Sequence, residues 1–322
     1  MKDTEYAFAV AKVRANENRL LSKSNFESLI CAKDYDTALK ILSDAGYGEF
    51  LLRDADEILS EKQSEIYELV YSCSPDKSCI DFLIVKNDFH NAKAILKSMI
   101  TNNDAKKYYI SPSVIVPEDL ETAIKNKSFS KLPEFLAQPC QKAYDVLVKT
   151  LDGQLSDVIL DRAALEAQIL LSEKSGERFS VGLAKLMAAL YDIKIALRAS
   201  ARGKELLFYE YALANTDLID IDELSKAALK GTKDVLEYAK AAGFEREAES
   251  FEKSQAAFEK SIDDELTSYV SGAKYTSLGI SPLIAFCLVG ENQIKSVRII
   301  LSCKKNGFDE QSIRERVRVQ YE

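Results

Sequence analysis

The sequence predicts an all-α protein of three similar helical domains, and three observations carry that reading. Apolar residues recur with helical spacing through almost all of the 322 residues. Breakers are few, six prolines and 12 glycines, and most fall between the periodic segments. A short frame also occurs three times: Asn91-Ala92-Lys93-Ala94-Ile95-Leu96, Asp192-Ile193-Lys194-Ile195-Ala196-Leu197 and Ser296-Val297-Arg298-Ile299-Ile300-Leu301. Each copy reads small polar, apolar, basic, two mostly apolar positions, then Leu. The basic residues Lys93, Lys194 and Arg298 lie 101 and 104 residues apart. Phe26, Leu120 and Leu224 each open a similar helix, 67, 74 and 74 residues ahead of those basic positions. Two patterns that keep their order and nearly their phase argue for a triplicated unit. Solenoid repeats run roughly 20–50 residues, whereas a unit of about 100 is a small domain with its own core. The expected domains are 1–110, 111–216 and 217–322, related by a pseudo-threefold repeat. Val10-Ala11-Lys12-Val13-Arg14 echoes the frame, so the N-terminal helix is expected to pack with the C-terminal unit.

The first helix is expected over Thr4 to Leu21. Ala7, Ala11 and Ala15 recur there one turn apart, a face that a neighbouring helix can approach closely. Ser24 is expected to cap a helix ending near Cys31 or Ala32. Tyr35 to Ala45 forms the next, closed by Gly46-Tyr47-Gly48. A polar-faced helix follows over Ile58 to Ser72 and breaks at Ser74-Pro75. Asp81 to Met99 carries the first frame. Asn102-Asn103-Asp104 reads as a loop, and Pro112 and Pro117 bound an extended link. Within it Val114-Ile115-Val116 is the best strand candidate in the chain, without an evident partner.

Pro117-Glu118-Asp119 opens the second unit, with proline and acids in the first turn, where the helix dipole favours them. Pro133 and Pro139 are expected to bound a short helix. Leu151 to Leu171 forms a long amphipathic helix that breaks at Ser175-Gly176. Leu183, Leu186, Leu190, Ile193 and Leu197 then recur at alternating three and four, a packing stripe. Ile219-Asp220-Ile221-Asp222 opens the third unit, Gly243 ends a helix, and Glu247 to Val270 is read as one long helix. Ile280-Ser281-Pro282 starts the third frame helix. Gly307 closes it and Asp309 caps a last helix with Ile313, Val317 and Tyr321 on one face.

Composition bounds function. A net charge of −8, with no basic cluster interleaved with aromatics, argues against nucleic acid, whose binding rests on Lys and Arg at phosphates. The six cysteines form no C-x-x-C pair and mostly sit in apolar helical sequence, as reduced thiols do. Met1-Lys2-Asp3-Thr4-Glu5 leads straight into an amphipathic helix, so no signal peptide is expected. The apolar run Leu283 to Val289 is far short of the roughly 20 residues a bilayer span needs.

No catalytic constellation is found. Gly231-Thr232-Lys233 lacks the glycines and the Lys-Ser/Thr end of a phosphate loop. The one histidine, His90, reads as a helix-surface residue, because a metal needs several convergent ligands. Asp263-Asp264-Glu265 is the best acidic cluster. It supports an alternative, an all-α metal-dependent enzyme, but Thr267 and Ser268 stand where a second aspartate would complete a Mg²⁺ site. The plainer reading of the cluster is a solvated helix face. No catalytic residue, metal or cofactor is assigned. Lys12, Arg14, Lys93, Lys194, Arg198, Arg202 and Arg298 are the candidate partner-contact residues. For Lys93, Lys194 and Arg298 two readings stay open: charges lining a shared partner surface, or a structural ion pair repeated in each unit.

These residues resemble one family. Tyr6-Ala7-Phe8-Ala9-Val10-Ala11-Lys12-Val13-Arg14-Ala15, Leu20-Leu21, the helix Leu39–Leu42 ending in Gly46-Tyr47-Gly48, and Asp192 to Arg198 are similar to the C subunit of the archaeal and bacterial V-type (A-type) ATPases. So is the ending, Glu291 to Leu301 through Gly307 and Ile313-Arg314-Glu315-Arg316. The eukaryotic relative is the d subunit of the vacuolar ATPase. The resemblance covers the full length. It implies a funnel of three helical domains in the central stalk, on the cytoplasmic face of the membrane rotor ring and receiving the end of a two-protein shaft. There it would couple ATP hydrolysis or synthesis to proton or sodium translocation, as one copy per complex and a monomer alone, with no nucleotide bound and no membrane insertion. The chain departs from the family where Asn-Ala-Arg is frequent near the N-terminus, here Val10-Ala11-Lys12, and where Ser302 replaces a basic residue. A free-standing helical scaffold is the remaining alternative.

Overall fold

The structure is a computed structural model that describes residues 3–50, 53–101 and 103–318. It is all-helical, and no strand occurs among the described residues. Contacts cluster the chain into two compact units, 1–77 with 249–322, and 78–248.

The first unit begins with α1 (Ala7–Asn16), flanked by short 3-10 turns. It buries Ala9, Val10 and Val13, while Ala7, Ala11 and Ala15 are exposed. The alanine face expected to meet a neighbour is therefore uncovered; the β-branched side chains beside it take the core because they remove more apolar surface from water. α2 (Lys23–Cys31) starts at Ser22, not Ser24. Ser22 and Asn25 form a capping box, each side chain accepting from the other's backbone N–H. α3 (Tyr35–Asp44) and α4 (Ala55–Cys73) follow.

The second unit opens with α5 (Ser78–Thr101), the first frame helix. The segment expected as a strand is irregular: the N–H groups of Val114 and Ile115 donate to the two carboxylate oxygens of Asp88 at 2.9 and 2.8 Å. A side chain thus satisfies the donors that a strand would pair in a ladder. The Asn102 part of the preceding loop lies outside the described residues. α6 (Pro117–Lys125) leads to α7 (Glu134–Thr150), which runs through Pro139 instead of stopping there. Leu136, Cys140, Ala143 and Leu147 are buried along one stripe of α7, and that burial offsets the roughly 3 kcal/mol a helical proline costs. α8 (Gly153–Ser175), capped by Asp152, and α9 (Arg178–Ser200), the second frame helix, form a hairpin around Gly176. α10 (Leu206–Ala212), α11 (Ile221–Lys230) and α12 (Thr232–Ala241) complete the unit. Its core joins Val85, Phe89, Leu120, Ile124, Leu136 and Leu160.

The boundary between units falls inside α13 (Glu245–Lys253). The expected helix Glu247 to Val270 is broken: Ser254 takes extended backbone and accepts from the Ala257 N–H to start α14 (Gln255–Ser271). Back in the first unit, α15 (Ser281–Lys305) is the third frame helix. It is buried on nearly every side, as a helix apolar around its circumference must be. Tyr67 of α4 donates to Glu291 of α15 at 2.7 Å, and α1 also packs on α15. Gly290 lies where α4 comes closest: a Cβ there would sit 2.5 Å from Ile66 Cδ1. α16 (Glu310–Arg314), capped by Asp309, buries Ile313. Val317 is buried as expected, and Tyr321 lies outside the described residues.

Candidate functional surface on the frame helices

The first residue of each frame copy has the same task. Asn91, Asp192 and Ser296 are all fully buried. Each accepts a backbone N–H from chain returning some 20 residues later. Ile110 donates to Asn91 Oδ1 at 2.8 Å, Ala214 to Asp192 Oδ1 at 3.0 Å, and Arg318 to Ser296 Oγ at 3.3 Å. The separations are 19, 22 and 22 residues. Asn91 adds a second bond, Nδ2 to the Ile110 carbonyl. Asn, Asp and Ser share little beyond a short side chain with an oxygen acceptor, and that is what the site uses.

Residues just upstream on the frame helices reinforce the clamp. Asn87 Nδ2 donates to the Pro112 carbonyl at 2.7 Å, beside the Asp88 bonds to Val114 and Ile115. Gln293 of α15 holds the Leu21 backbone from both sides, accepting from its N–H and donating to its carbonyl at 2.9 Å each. Leu21 immediately precedes the Ser22 cap of α2, and Ile115 stands two residues before α6. The chain entering these two opener helices is therefore fixed by a frame helix. Asp88 and Gln293 were not singled out from sequence, since a polar residue inside an apolar helix carries no mark of the backbone it meets.

The basic positions make these contacts. Lys93 pairs with Asp161, and Lys97 with Asp157, both from α5 to α8. Arg298 reaches Asp56 at 3.2 Å and Ser60 at 3.0 Å, from α15 to α4. Lys194 stands over the ring of Tyr191, 5.7 Å from its centroid. Lys12 donates to Ser72 Oγ at 2.9 Å. Arg14 pairs with Glu17 and donates to the carbonyls of Ala273, Lys274 and Thr276. Lys93 and Arg298 thus each make an ion pair from a frame helix to another helix. Arg198 and Arg202, one turn apart at the end of α9, line a groove between α8, α9 and α10.

Asp263-Asp264-Glu265 is not a solvated face. Asp263 and Asp264 are 6% and 4% exposed. Asp263 sits between Lys295 at 2.9 Å and Arg318 at 2.8 Å, and Asp264 pairs with Lys260. Burial pushes the Asp263 carboxyl up, but the Lys295 and Arg318 charges outweigh it and hold it below the ordinary carboxylate range. Its two oxygens are occupied by cationic donors, the opposite of what a Mg²⁺ ligand offers. Sequence alone could not pair residues 32 and 55 positions apart. His90 is half-buried, with Nε2 3.1 Å from the Tyr108 carbonyl. Burial and nearby Lys93 lower its pKa. Five of the six cysteines are buried and all six are free thiols; Cys31 is exposed.

No helix among the described residues is long and apolar enough to cross a membrane. Residues 9–316 match the family described as ATP synthase (C/AC39) subunit. The C subunit of the V-type sodium ATPase of Enterococcus hirae is 25% identical over 96% of this chain and 97% of its own length. The C subunits of the A-type ATP synthases of Desulfurococcus sp. and Thermococcus kodakarensis are 23% and 22% identical, each over 98% of this chain and 91% and 90% of their own lengths. With a match that spans nearly the whole chain, over a helical fold whose frame copies share one clamp, this chain belongs to the ATP synthase (C/AC39) subunit family.

Proposed function

We propose that this chain is the non-catalytic central-stalk subunit of a V-type ATPase, linking the rotating shaft to the membrane rotor ring. It would sit on the cytoplasmic face and couple ATP hydrolysis or synthesis to proton or sodium movement. The observation that carries the reading is the family match over residues 9–316. The tripled clamp supports three related helical modules, each tying a returning segment to its long helix. Packed helices with hydrogen-bonded returns resist deformation, and a part that transmits torque needs that stiffness. The net charge of −8 suits docking onto basic loops of a ring.

Affinity purification of this chain from mildly solubilised membranes tests the proposal. A small hydrophobic ring protein and two shaft proteins are expected to come with it. A clean deletion should abolish ATP-driven ion transport while the detached head still hydrolyses ATP. Recovery of the chain alone at low and moderate salt, or ion transport that survives the deletion, would overturn the reading.

A further inference from the structure

The groove at the end of α9 holds about 150 Å³. Its floor is apolar: Val158 from α8, Ile195 from α9, and Phe208 and Ala212 from α10. A cavity of roughly this volume accepts one ring or branched aliphatic group, since about 150 Å³ holds benzene. The rim is cationic. Arg198 lies on α9, Arg202 in the turn just after it, and Lys204 reaches across to Gln154 Oε1 at 3.0 Å, with its ammonium 5.2 Å from the Phe208 ring centre. The one carboxylate in the lining, Asp161, is already engaged by Lys93. Arg202 is exposed and has no carboxylate partner among the described residues. Beside the floor, Leu206 and Leu207 are 47% and 57% exposed. In a chain of net charge −8, a local excess of cations around an apolar slot runs against the average surface.

We infer that this groove docks an acidic segment of another protein of the complex, with one aromatic or branched aliphatic side chain in the slot and carboxylates against Arg202 and Lys204. Charge complementarity selects the occupant: the slot excludes a purely ionic ligand, and the rim opposes a basic or neutral helix. Arg forks hold carboxylates with two bonds at once, which fixes register as well as attraction. The inference rests on the chain working inside a multi-protein complex, as proposed above.

The test places the photo-crosslinking residue benzoylphenylalanine at Gln154 in the full-length chain, in cells that carry the ATPase. Membranes are irradiated, the complex is purified, and the adduct is sequenced by mass spectrometry. The expected adduct is on an acidic segment of another ATPase protein that contains an aromatic or branched aliphatic residue. Arg202→Glu with Lys204→Glu should lower that adduct about tenfold or more, because replacing charge pairing with repulsion across an interface costs well over the 1.4 kcal/mol of a decade. Arg202→Glu alone, at an exposed position with no ion pair to lose, should lower it in the same direction. An adduct only on lipid, on this chain or on a segment without acids would overturn the inference, as would no adduct or an adduct indifferent to charge reversal. Copurification separates this from the stalk reading. ATPase proteins present with no groove adduct sink the inference alone. A groove adduct on an acidic segment without ATPase proteins sinks the stalk reading alone.

Discussion

Asp192 and Asp88 are both buried aspartates on frame helices, yet replacing each by asparagine should have opposite effects at alkaline pH. Asp192 takes one backbone N–H on Oδ1, and its Oδ2 is buried without a partner. A charged oxygen so placed is costly, and a protonated one is not. Burial raises the Asp192 pKa to about 8, against smaller opposing effects of the Ala214 bond and Arg162 and a small contribution from Glu166 in the same direction. The unfolded chain ionises near 3.8, so the folded state holds the extra proton between about pH 4 and pH 8. Stability from this site is therefore full below the unfolded pKa, falls as pH rises to about 8, and is level above. The slope is about 1.4 kcal/mol per pH unit for one proton. Asp192→Asn keeps the oxygen acceptor and removes the ionisation, so it should gain on the parent by up to that slope from pH 5 to pH 8. Asp88 differs in accepting two N–H groups, one on each oxygen. Burial raises it to only about 6, because those two bonds favour the charge. Asp88→Asn would turn an NH₂ against one of the donors, at about 1–3 kcal/mol. Urea unfolding of parent and both variants at pH 5 to 9 decides the matter. At pH 8, Asp192→Asn should be more stable than the parent and Asp88→Asn less. A stability difference for Asp192→Asn that is flat with pH, or a loss at pH 8, would refute the assignment of a neutral acid at 192.

Four further outcomes follow from the geometry. Gly290→Ala should destabilise by about 1 kcal/mol, since overpacking of about 1–3 kcal/mol against Ile66 exceeds the helix-propensity gain of about 1; adding Ile66→Val should recover part of it, which a double-mutant cycle would read. Lys93→Asp with Asp161→Lys should restore what either single change loses, a small amount of about 0.5 kcal/mol because the pair is part-exposed; no coupling would return Lys93 to the set of free contact residues. Arg318→Met should cost about 2 kcal/mol, less than a fully stripped buried pair because Lys295 still faces Asp263. Since Asp263 is held below its ordinary pKa, its ion pairs contribute above pH 4 and are lost as acid protonates it, so parent and variant should converge at low pH. In native protein a thiol reagent should titrate Cys31 alone and reach all six cysteines only in denaturant, as read by absorbance; a second fast thiol would contradict the burial of the others.

Much of this fold is legible because helices write their period into sequence. The long frame helices lie close to where the stripes place them: Asp81 to Met99 falls within Ser78–Thr101, and Leu183 to Leu197 lies inside Arg178–Ser200. Two misses are local caps that were misplaced, at Ser22 and Ser254; the larger ones involve packing the local sequence does not show. Val114-Ile115-Val116 has strand composition, but its donors are claimed by Asp88, 26 and 27 residues earlier. Pro139 should stop α7, yet the buried stripe on both sides holds it helical. Asp263-Asp264 looks like a wet charge run, and Lys295 and Arg318 bring it inside. In each case tertiary packing overrides a sound local preference, through a contact distant in sequence at Val114-Ile115 and at Asp263. Candidate residues fared likewise: their type and helix could be read, and whether each meets a carboxylate, a ring or a carbonyl could not.

What the repeat preserves is instructive. At the basic position two copies reach different helices, Lys93 a carboxylate on α8 and Arg298 a carboxylate with a hydroxyl on α4. At the position two before it, Asn, Asp and Ser all do one thing, receiving a backbone N–H in a site closed to water. A side-chain charge on a helix surface can change partner at a cost near zero to 1 kcal/mol. A buried backbone donor left unpaired costs about 1–3 kcal/mol each time. The clamp is thus the feature that the frame copies cannot drop without loosening, and the surface charge is the feature freer to change. For a stalk protein that division is useful. Stiffness within each module would come from the shared clamp, while individuality of contact would come from the residues around it, including the cationic rim at the end of α9.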